Sequence, residues 1–162
     1  MSKTSLSHPG AKKAILTAWL VAGTLDILAA CTQFYFKTDK SPTIVLKYVA
    51  SGAFGPEAMQ GGIGMMIWGL VFHYLIALGC VMAFFFLYPN VKIMRANKWI
   101  TAIVFALLAW VVTTRLIVPL SRIKPAPFNF SNAWKAMAIL VLMIGIPITF
   151  IVGKYYDNNE KK

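Results

Sequence analysis

Three ionisable side chains, Asp26, His73 and Arg115, lie inside long apolar stretches of the sequence. Such groups are costly in hydrocarbon, so in membrane proteins they usually face the interior of a helix bundle and mark a site. An imidazole between a carboxylate and a guanidinium can change its protonation state near neutral pH. This combination would suit a proton-coupled carrier or a site for an anionic headgroup.

A glycine-rich connection precedes the stretch that contains His73, and it carries two more polar side chains. Its glycines would let backbone approach a ligand closely: they are Gly52, Gly55, Gly61 and Gly62. The N–H groups at the start of the following helix could hold an anion. We therefore predict one polar pocket that is open to the outer face of the membrane. Its lining would be Asp26, His73, Arg115, Glu57 and Gln60.

Each of these side chains also has a purely structural interpretation. Asp26 and Arg115 could form a buried ion pair, and His73 could be a hydrogen-bonded packing residue. Alternatively, Arg115 could extend to the headgroups at the outer interface without any partner. Glu57 could simply be solvated.

Cofactor and enzyme chemistry has weaker support in the sequence. Haem or copper at His73 is an alternative, because imidazole is a common metal ligand and methionine thioethers suit copper(I). The methionines near that stretch are equally typical of membrane packing: Met59, Met65 and Met66. The chain has no nucleophile–base motif, phosphate loop or acidic metal cluster. We therefore predict no cofactor and favour a role other than catalysis.

The composition is that of a helical membrane protein. Of the 162 residues, 59% are hydrophobic and 13% are charged, whereas about a quarter of a soluble domain is charged. Four apolar segments can each span a bilayer, which requires about 20 residues. The predicted fold class is an all-α integral membrane protein with spans at residues 14–36, 63–88, 99–120 and 133–153. A tail at residues 1–13 and a polar tail at residues 154–162 flank this single domain, residues 14–153.

A further short helix is predicted in the first outer connection, with Ser41 as its N-cap and Pro42 as its first residue. It would lie along the interface or re-enter the bundle. Ser131 or Asn132 should cap the fourth span, and Pro147 should kink it. Residues 28–31 also resemble a lipoprotein cleavage site, but the nearby Asp26 and the three later spans disfavour cleavage.

Charge predicts the orientation of the chain and excludes one class of partner. The net charge of +11 is scattered over loops and ends, whereas nucleic-acid binding needs a concentrated basic face. Nine lysines and arginines fall on the side of the termini and six on the other side. The positive-inside rule then places both termini in the cytoplasm. The lipid bilayer is the predicted partner.

Three stretches resemble a known family. Residues 50–62 read ASGAFGPEAMQGG, residues 73–77 read HYLIA, and residues 118–121 read VPLS. They resemble the pattern ASGxxGxxAxxGG, HxxIA and VPLS of a family of small, uncharacterised four-span bacterial inner-membrane proteins. Asp26 is similar to an acidic residue in the first span of that family. The resemblance implies a location in the bacterial inner membrane and four spans, and it implies no activity.

Two function classes follow from these observations. The first is a binding or transport module with an outward-facing polar pocket for a small molecule, an ion or a lipid headgroup. The alternative is a small accessory or structural subunit of a larger membrane complex, or a homo-oligomer. In that case small residues such as Gly23, Gly69 and Gly79 would pack on partners.

Overall fold

The computed structural model describes residues 10–123 and 129–160, and over these residues the chain forms helices and no strands. Four helices are long and apolar enough to cross a membrane: α1 (Ala11–Thr38), α3 (Ile63–Leu87), α5 (Lys98–Leu120) and α6 (Phe130–Asn159). Two shorter helices, α2 (Thr43–Phe54) and α4 (Lys92–Ala96), lie in the connections. The prediction of an all-α fold with four spans and an extra short helix is confirmed.

The long helices extend beyond the predicted spans at both chain ends. Helix α1 begins at Ala11, and most of the predicted N-terminal tail, residues 1–9, lies outside the described residues. Helix α6 continues through Tyr155 and Tyr156 into the predicted C-terminal tail. The rings of these two tyrosines pack against Phe85 of α3, so this part of the helix belongs to the bundle.

Successive long helices run in opposite directions, which gives the bundle two distinct ends. At the terminal end, where α1 starts and α6 finishes, Lys98 forms an ion pair with Asp157. At the other end, here called the α2 end, Lys37 donates a hydrogen bond to Asn132 Oδ1 at 3.0 Å. There the Arg122 backbone N–H also donates to the Gly52 carbonyl at 2.9 Å.

Buried aromatic rings hold the helices together at the terminal end. The Phe84 ring of α3 meets the Phe105 ring of α5 edge to face, with centroids 4.8 Å apart. Tyr156 of α6 stacks on Tyr88 with centroids 5.6 Å apart and donates its hydroxyl to the Phe85 carbonyl at 2.9 Å. Helix α1 packs on the same core through small and branched side chains: Ala11, Ile15, Ala18 and Ala22.

At the α2 end, helix α2 lies against α3. Gly69 of α3 permits this, because a Cβ at that position would overlap the Leu46 carbonyl of α2. The ring of Phe54 packs against those of Trp68 and Phe72, with centroids 5.9 and 5.8 Å away. A 3₁₀ turn, Pro56–Gln60, then leads the chain into α3.

Two prolines inside spans are each preceded by a π-helical stretch. Thr113–Ile117 comes shortly before Pro119, and Val141–Gly145 comes shortly before Pro147. Proline lacks an N–H group and crowds the carbonyl four residues earlier, and a wider turn accommodates both effects.

Two predicted helix caps are wrong. The N-cap of α6 is Asn129, whose side chain accepts from the Asn132 N–H at 3.1 Å, because the helix starts earlier than the predicted span. At α2 the N-cap position is occupied by Pro42, and the Ser41 hydroxyl bonds the Thr43 hydroxyl at 2.8 Å instead of the helix backbone.

Candidate functional site

Polar side chains connect α1 and α3 where the two helices cross at Gly23. The Trp19 indole N–H donates to the Tyr74 carbonyl at 2.7 Å. The Thr24 and Tyr74 hydroxyls lie 2.7 Å apart, and His73 Nε2 lies 2.8 Å from the Gly23 carbonyl oxygen. A Cβ at Gly23 would be 2.9 Å from Tyr74 Cε1, so glycine lets the helices approach closely.

The hydrogen bond of His73 determines which of its ring nitrogens carries a hydrogen. A carbonyl oxygen can only accept, so Nε2 carries the hydrogen and donates it to Gly23. In the neutral ring this leaves Nδ1 as a free acceptor, and in the charged ring Nδ1 becomes a second donor. The bond to α1 therefore uses Nε2 alone.

Asp26 lies one helical turn from Gly23, on the side of α1 that faces α3. Its carboxylate is close enough to the His73 imidazole for the two groups to interact electrostatically, and it also acts on the Cys80 thiol. Asp26 makes no hydrogen bond or ion pair with any residue in the ranges 10–123 and 129–160. The structure thus brings Asp26 and His73 together without a direct bond between them.

Arg115 lies away from this pair. It is an exposed residue in the π-helical stretch of α5. Thr113 and Ile117 of that stretch line a cavity, and Arg115, two residues from each, points to the opposite side of the helix because two residues make about half a turn. Among the described residues no ion pair joins Arg115 to Asp26. The position fits the alternative in which Arg115 extends toward the headgroups.

The polar residues of the first connection form a third group. Glu57 and Gln60 are exposed on the 3₁₀ turn, and Glu57 folds back beside Gly55. Gly55 ends α2 with a φ of 87°, a conformation that glycine adopts readily. The five residues predicted to share one pocket are therefore divided among three places.

The glycines predicted to let a ligand approach the backbone differ in the space that a Cβ would meet. A Cβ at Gly52 would make ordinary contacts, one at Gly61 would meet the flexible Met65 side chain, and one at Gly62 would meet open space. The tight positions include Gly23 and Gly69, which were predicted to pack on partners. Gly145 of α6 is another, because a Cβ there would overlap the Ala102 carbonyl of α5. All three lie inside the fold, because a neighbouring element of the same chain covers them.

An apolar cavity of about 340 Å³ lies between α2, α3 and α5 near the α2 end. Each helix contributes large apolar side chains to it, and the hydroxyl-bearing residues of its lining on α5 and beyond are Thr113 and Ser121. The Ser121 hydroxyl donates to the Val118 carbonyl at 2.7 Å. Asp26 and His73 do not line this cavity. The volume lies in the range of small-molecule pockets, about 300–1,000 Å³.

Histidine, cysteine and acidic side chains are the groups to examine for a metal site. Within residues 10–123 and 129–160, no three histidine, cysteine or acidic side chains form a group that could hold a metal ion. Cys31 and Cys80 are free thiols, and the Cys31 thiol donates weakly to the Pro42 carbonyl at 3.6 Å.

Sequence reasoning did not single out the polar contacts that support His73. Trp19, Thr24 and Tyr74 are ordinary residues for a membrane helix, and no spacing rule marks them as partners. The sequence offered one indication of these contacts: Thr24 lies two residues from Asp26, and Tyr74 lies next to His73. Comparison with known proteins adds no further guidance, since no family model, curated protein or solved structure matches this chain.

Proposed function

We propose that this multi-pass membrane protein is a binding or transport module in which the Asp26–His73 pair releases a proton to solution, or takes one up from it, when a small molecule or ion binds. The observation that supports this proposal is the Asp26 carboxylate, which has no hydrogen bond within the described residues yet lies within electrostatic range of His73. Ionisable groups in such positions commonly mark proton or ion pathways.

The contacts of His73 favour a role in proton exchange over a role in helix packing alone. Its Nε2 is held by the Gly23 carbonyl, and the neighbouring Tyr74 is bonded to α1 through both its hydroxyl and its backbone. The ring orientation is therefore set by α1, while Nδ1 makes no hydrogen bond in the described residues. A group that is held at one nitrogen and available at the other can exchange protons with minimal rearrangement.

Location in a bacterial inner membrane, with both termini in the cytoplasm, belongs to the same proposal. It is supported by the sequence resemblance and by the basic residues of the terminal end. Helix α4 and the start of α5 bring Lys92, Arg95 and Lys98 to that end. The positive-inside rule assigns such short basic loops to the cytoplasm.

A second candidate function is an accessory subunit of a larger membrane complex. It is favoured by Arg115, which is exposed on a membrane span and makes no ion pair with the described residues. Charged side chains within spans commonly pair with another group, and an acidic residue on a neighbouring protein would supply one. Arg115→Gln should then release a partner that co-purifies with the wild type in mild detergent.

Proton exchange can be tested with Asp26→Asn in purified protein. A pH-indicator dye in weakly buffered detergent solution would report protons released or taken up as a panel of small organic cations, anions and neutral solutes is added. We expect at least one solute to change the dye signal with the wild type. The change should be lost with Asp26→Asn, because the amide cannot titrate.

Glu57→Gln is the matched control, since it also removes one acidic charge, at an exposed residue of the 3₁₀ turn. Its dye signal should equal that of the wild type. If Asp26→Asn is folded by thermal melting and still exchanges the same number of protons, the proposed role of Asp26 is wrong.

A further inference from the structure

An apolar groove of about 300 Å³ lies at the terminal end, and neither Asp26 nor His73 lines it. One wall is α4 with Ile93 and Met94, and the other wall is the first half of α5 with Val104 and Leu108. The groove therefore follows a membrane-spanning helix from the short basic connection toward the middle of the span.

Defined contacts hold the two walls together. The Thr101 hydroxyl of α5 donates to the Met94 carbonyl of α4 at 2.8 Å. Asn97, between the two helices, caps α5 by accepting from the N–H groups of Trp99 and Ile100 at 2.9 and 3.2 Å. Because side-chain bonds fix the turn on both sides of Asn97, the groove is a built feature of the fold.

Positive charge lies directly beside the groove. Lys92 stands between two lining residues in the chain, is exposed, and makes no hydrogen bond or ion pair with the described residues. Arg95, also exposed, adds a second positive charge one turn further along α4. The sequence from residue 87 to residue 120 contains no aspartate or glutamate. The mouth of an apolar groove is thus bordered by cations, with no acid on either wall.

We propose that this groove binds an anionic phospholipid. One acyl chain lies along Val104 and Leu108, and the phosphate of the headgroup lies at Lys92 near the membrane surface. Charge complementarity selects an anionic lipid over a zwitterionic one, because an additional positive charge on a zwitterionic headgroup offsets the attraction to lysine. The apolar walls select a lipid over a free phosphate ion, which would gain nothing from the groove.

Native mass spectrometry of the purified full chain tests the headgroup contact. The protein is incubated with dioleoylphosphatidylglycerol or dioleoylphosphatidylcholine, and the lipid retained on the protein is measured at several concentrations. We expect phosphatidylglycerol to be retained in preference to phosphatidylcholine. Lys92→Gln should lower that retention about fivefold, the effect expected for one cation near an anionic surface.

Lys40→Gln is the matched control, because Lys40 is an exposed lysine at the α2 end. Its retention of phosphatidylglycerol should equal that of the wild type. Equal retention of both lipids by the wild type would overturn the proposal, as would an equal loss in both lysine variants.

A second pair of variants tests the acyl-chain contact. Val104→Trp fills the groove from an exposed position, whereas Val111→Trp makes the same change at an exposed position of α5 outside it. Val104→Trp should reduce phosphatidylglycerol retention, and Val111→Trp should leave it unchanged. Displacement of the bound lipid by millimolar inorganic phosphate alone would show that the headgroup contact binds without the groove, and the proposal would fall.

Discussion

The register between α1 and α3 depends on Tyr74, which bonds α1 twice. Its carbonyl accepts from the Trp19 indole, and its hydroxyl meets the Thr24 hydroxyl. Both contacts lie within one turn of Gly23, whose carbonyl accepts from His73. A shift of either helix along the other would break all three bonds together, so these residues keep the imidazole at the depth of Asp26.

Two small substitutions at this crossing should lower the free energy of unfolding by different amounts. Tyr74→Phe loses the bond to Thr24, and hydrogen bonds between membrane helices contribute about 0.6 kcal/mol on average. Gly23→Ala should destabilise the fold by more, about 1–3 kcal/mol, because its Cβ would crowd the Tyr74 ring. Equilibrium unfolding in mixed micelles measures both changes, and an equal or reversed order would contradict the crossing described.

The sequence could predict the depth of the ionisable residues but not the side of the helix that each one faces. Counting residues from the span ends puts Asp26 and His73 about 15 Å inside the outer interface and Arg115 about 7 Å inside it, so all three fall in the outer half of the bundle. The depth of a residue in the membrane follows from the rise per residue along its helix. The direction in which its side chain points relative to the other helices depends on which neighbour packs on each side. Asp26 and His73 are close in the structure because α1 and α3 are paired through Gly23. Arg115 belongs to α5, whose exposed side carries it away from them.

Helix α2 shows how one glycine can determine the position of an entire element. Its sequence predicted a short helix, and the structure contains one, but the site of its docking depends on Gly69 of α3. The Leu46 carbonyl occupies the space where any larger residue would place its Cβ. Sequence alone could not match these two positions, because the contact involves the backbone of α2 and is independent of its side chains there.

Gly69→Ala should therefore destabilise the protein by about 1–3 kcal/mol, the usual range for inserting atoms into a packed interface. Gly79→Ala is the control on the same helix, since a Cβ at Gly79 would meet nothing within 4 Å. That variant should be neutral or slightly stabilising, because alanine favours helix. Unfolding in mixed micelles and protease sensitivity of α2 report the two effects. Comparable losses in both variants would argue against close docking of α2.

The whole molecule is tied together most firmly at the terminal end. There Phe84 of α3 reaches Phe105 of α5, and Tyr156 of α6 packs on both Phe85 and Tyr88. At the α2 end, an apolar cavity and α2 itself separate α3 from α5. The bundle thus has a closely packed end and an end in which an additional element fills the space between spans.

Phe84→Ala should be among the most destabilising single changes in the chain, at about 3–5 kcal/mol, because it empties a fully buried site that joins two spans. Phe86→Ala removes the same number of atoms from a residue that is 40% exposed on the same helix. It should cost much less. A comparison of their unfolding midpoints in mixed micelles tests this difference, and similar midpoints would mean that the aromatic core does not hold the bundle.

The bond between the Arg122 N–H and the Gly52 carbonyl has a consequence for biosynthesis. A ribosome completes α2 and α3 long before it reaches Arg122, so the nascent chain can seat α2 on Gly69 while the Gly52 carbonyl still lacks this donor. Insertion of the third span into the membrane brings the Arg122 N–H to the Gly52 carbonyl afterwards. We therefore expect α2 to pair with α3 first and a later segment of the same polypeptide to fasten that pair.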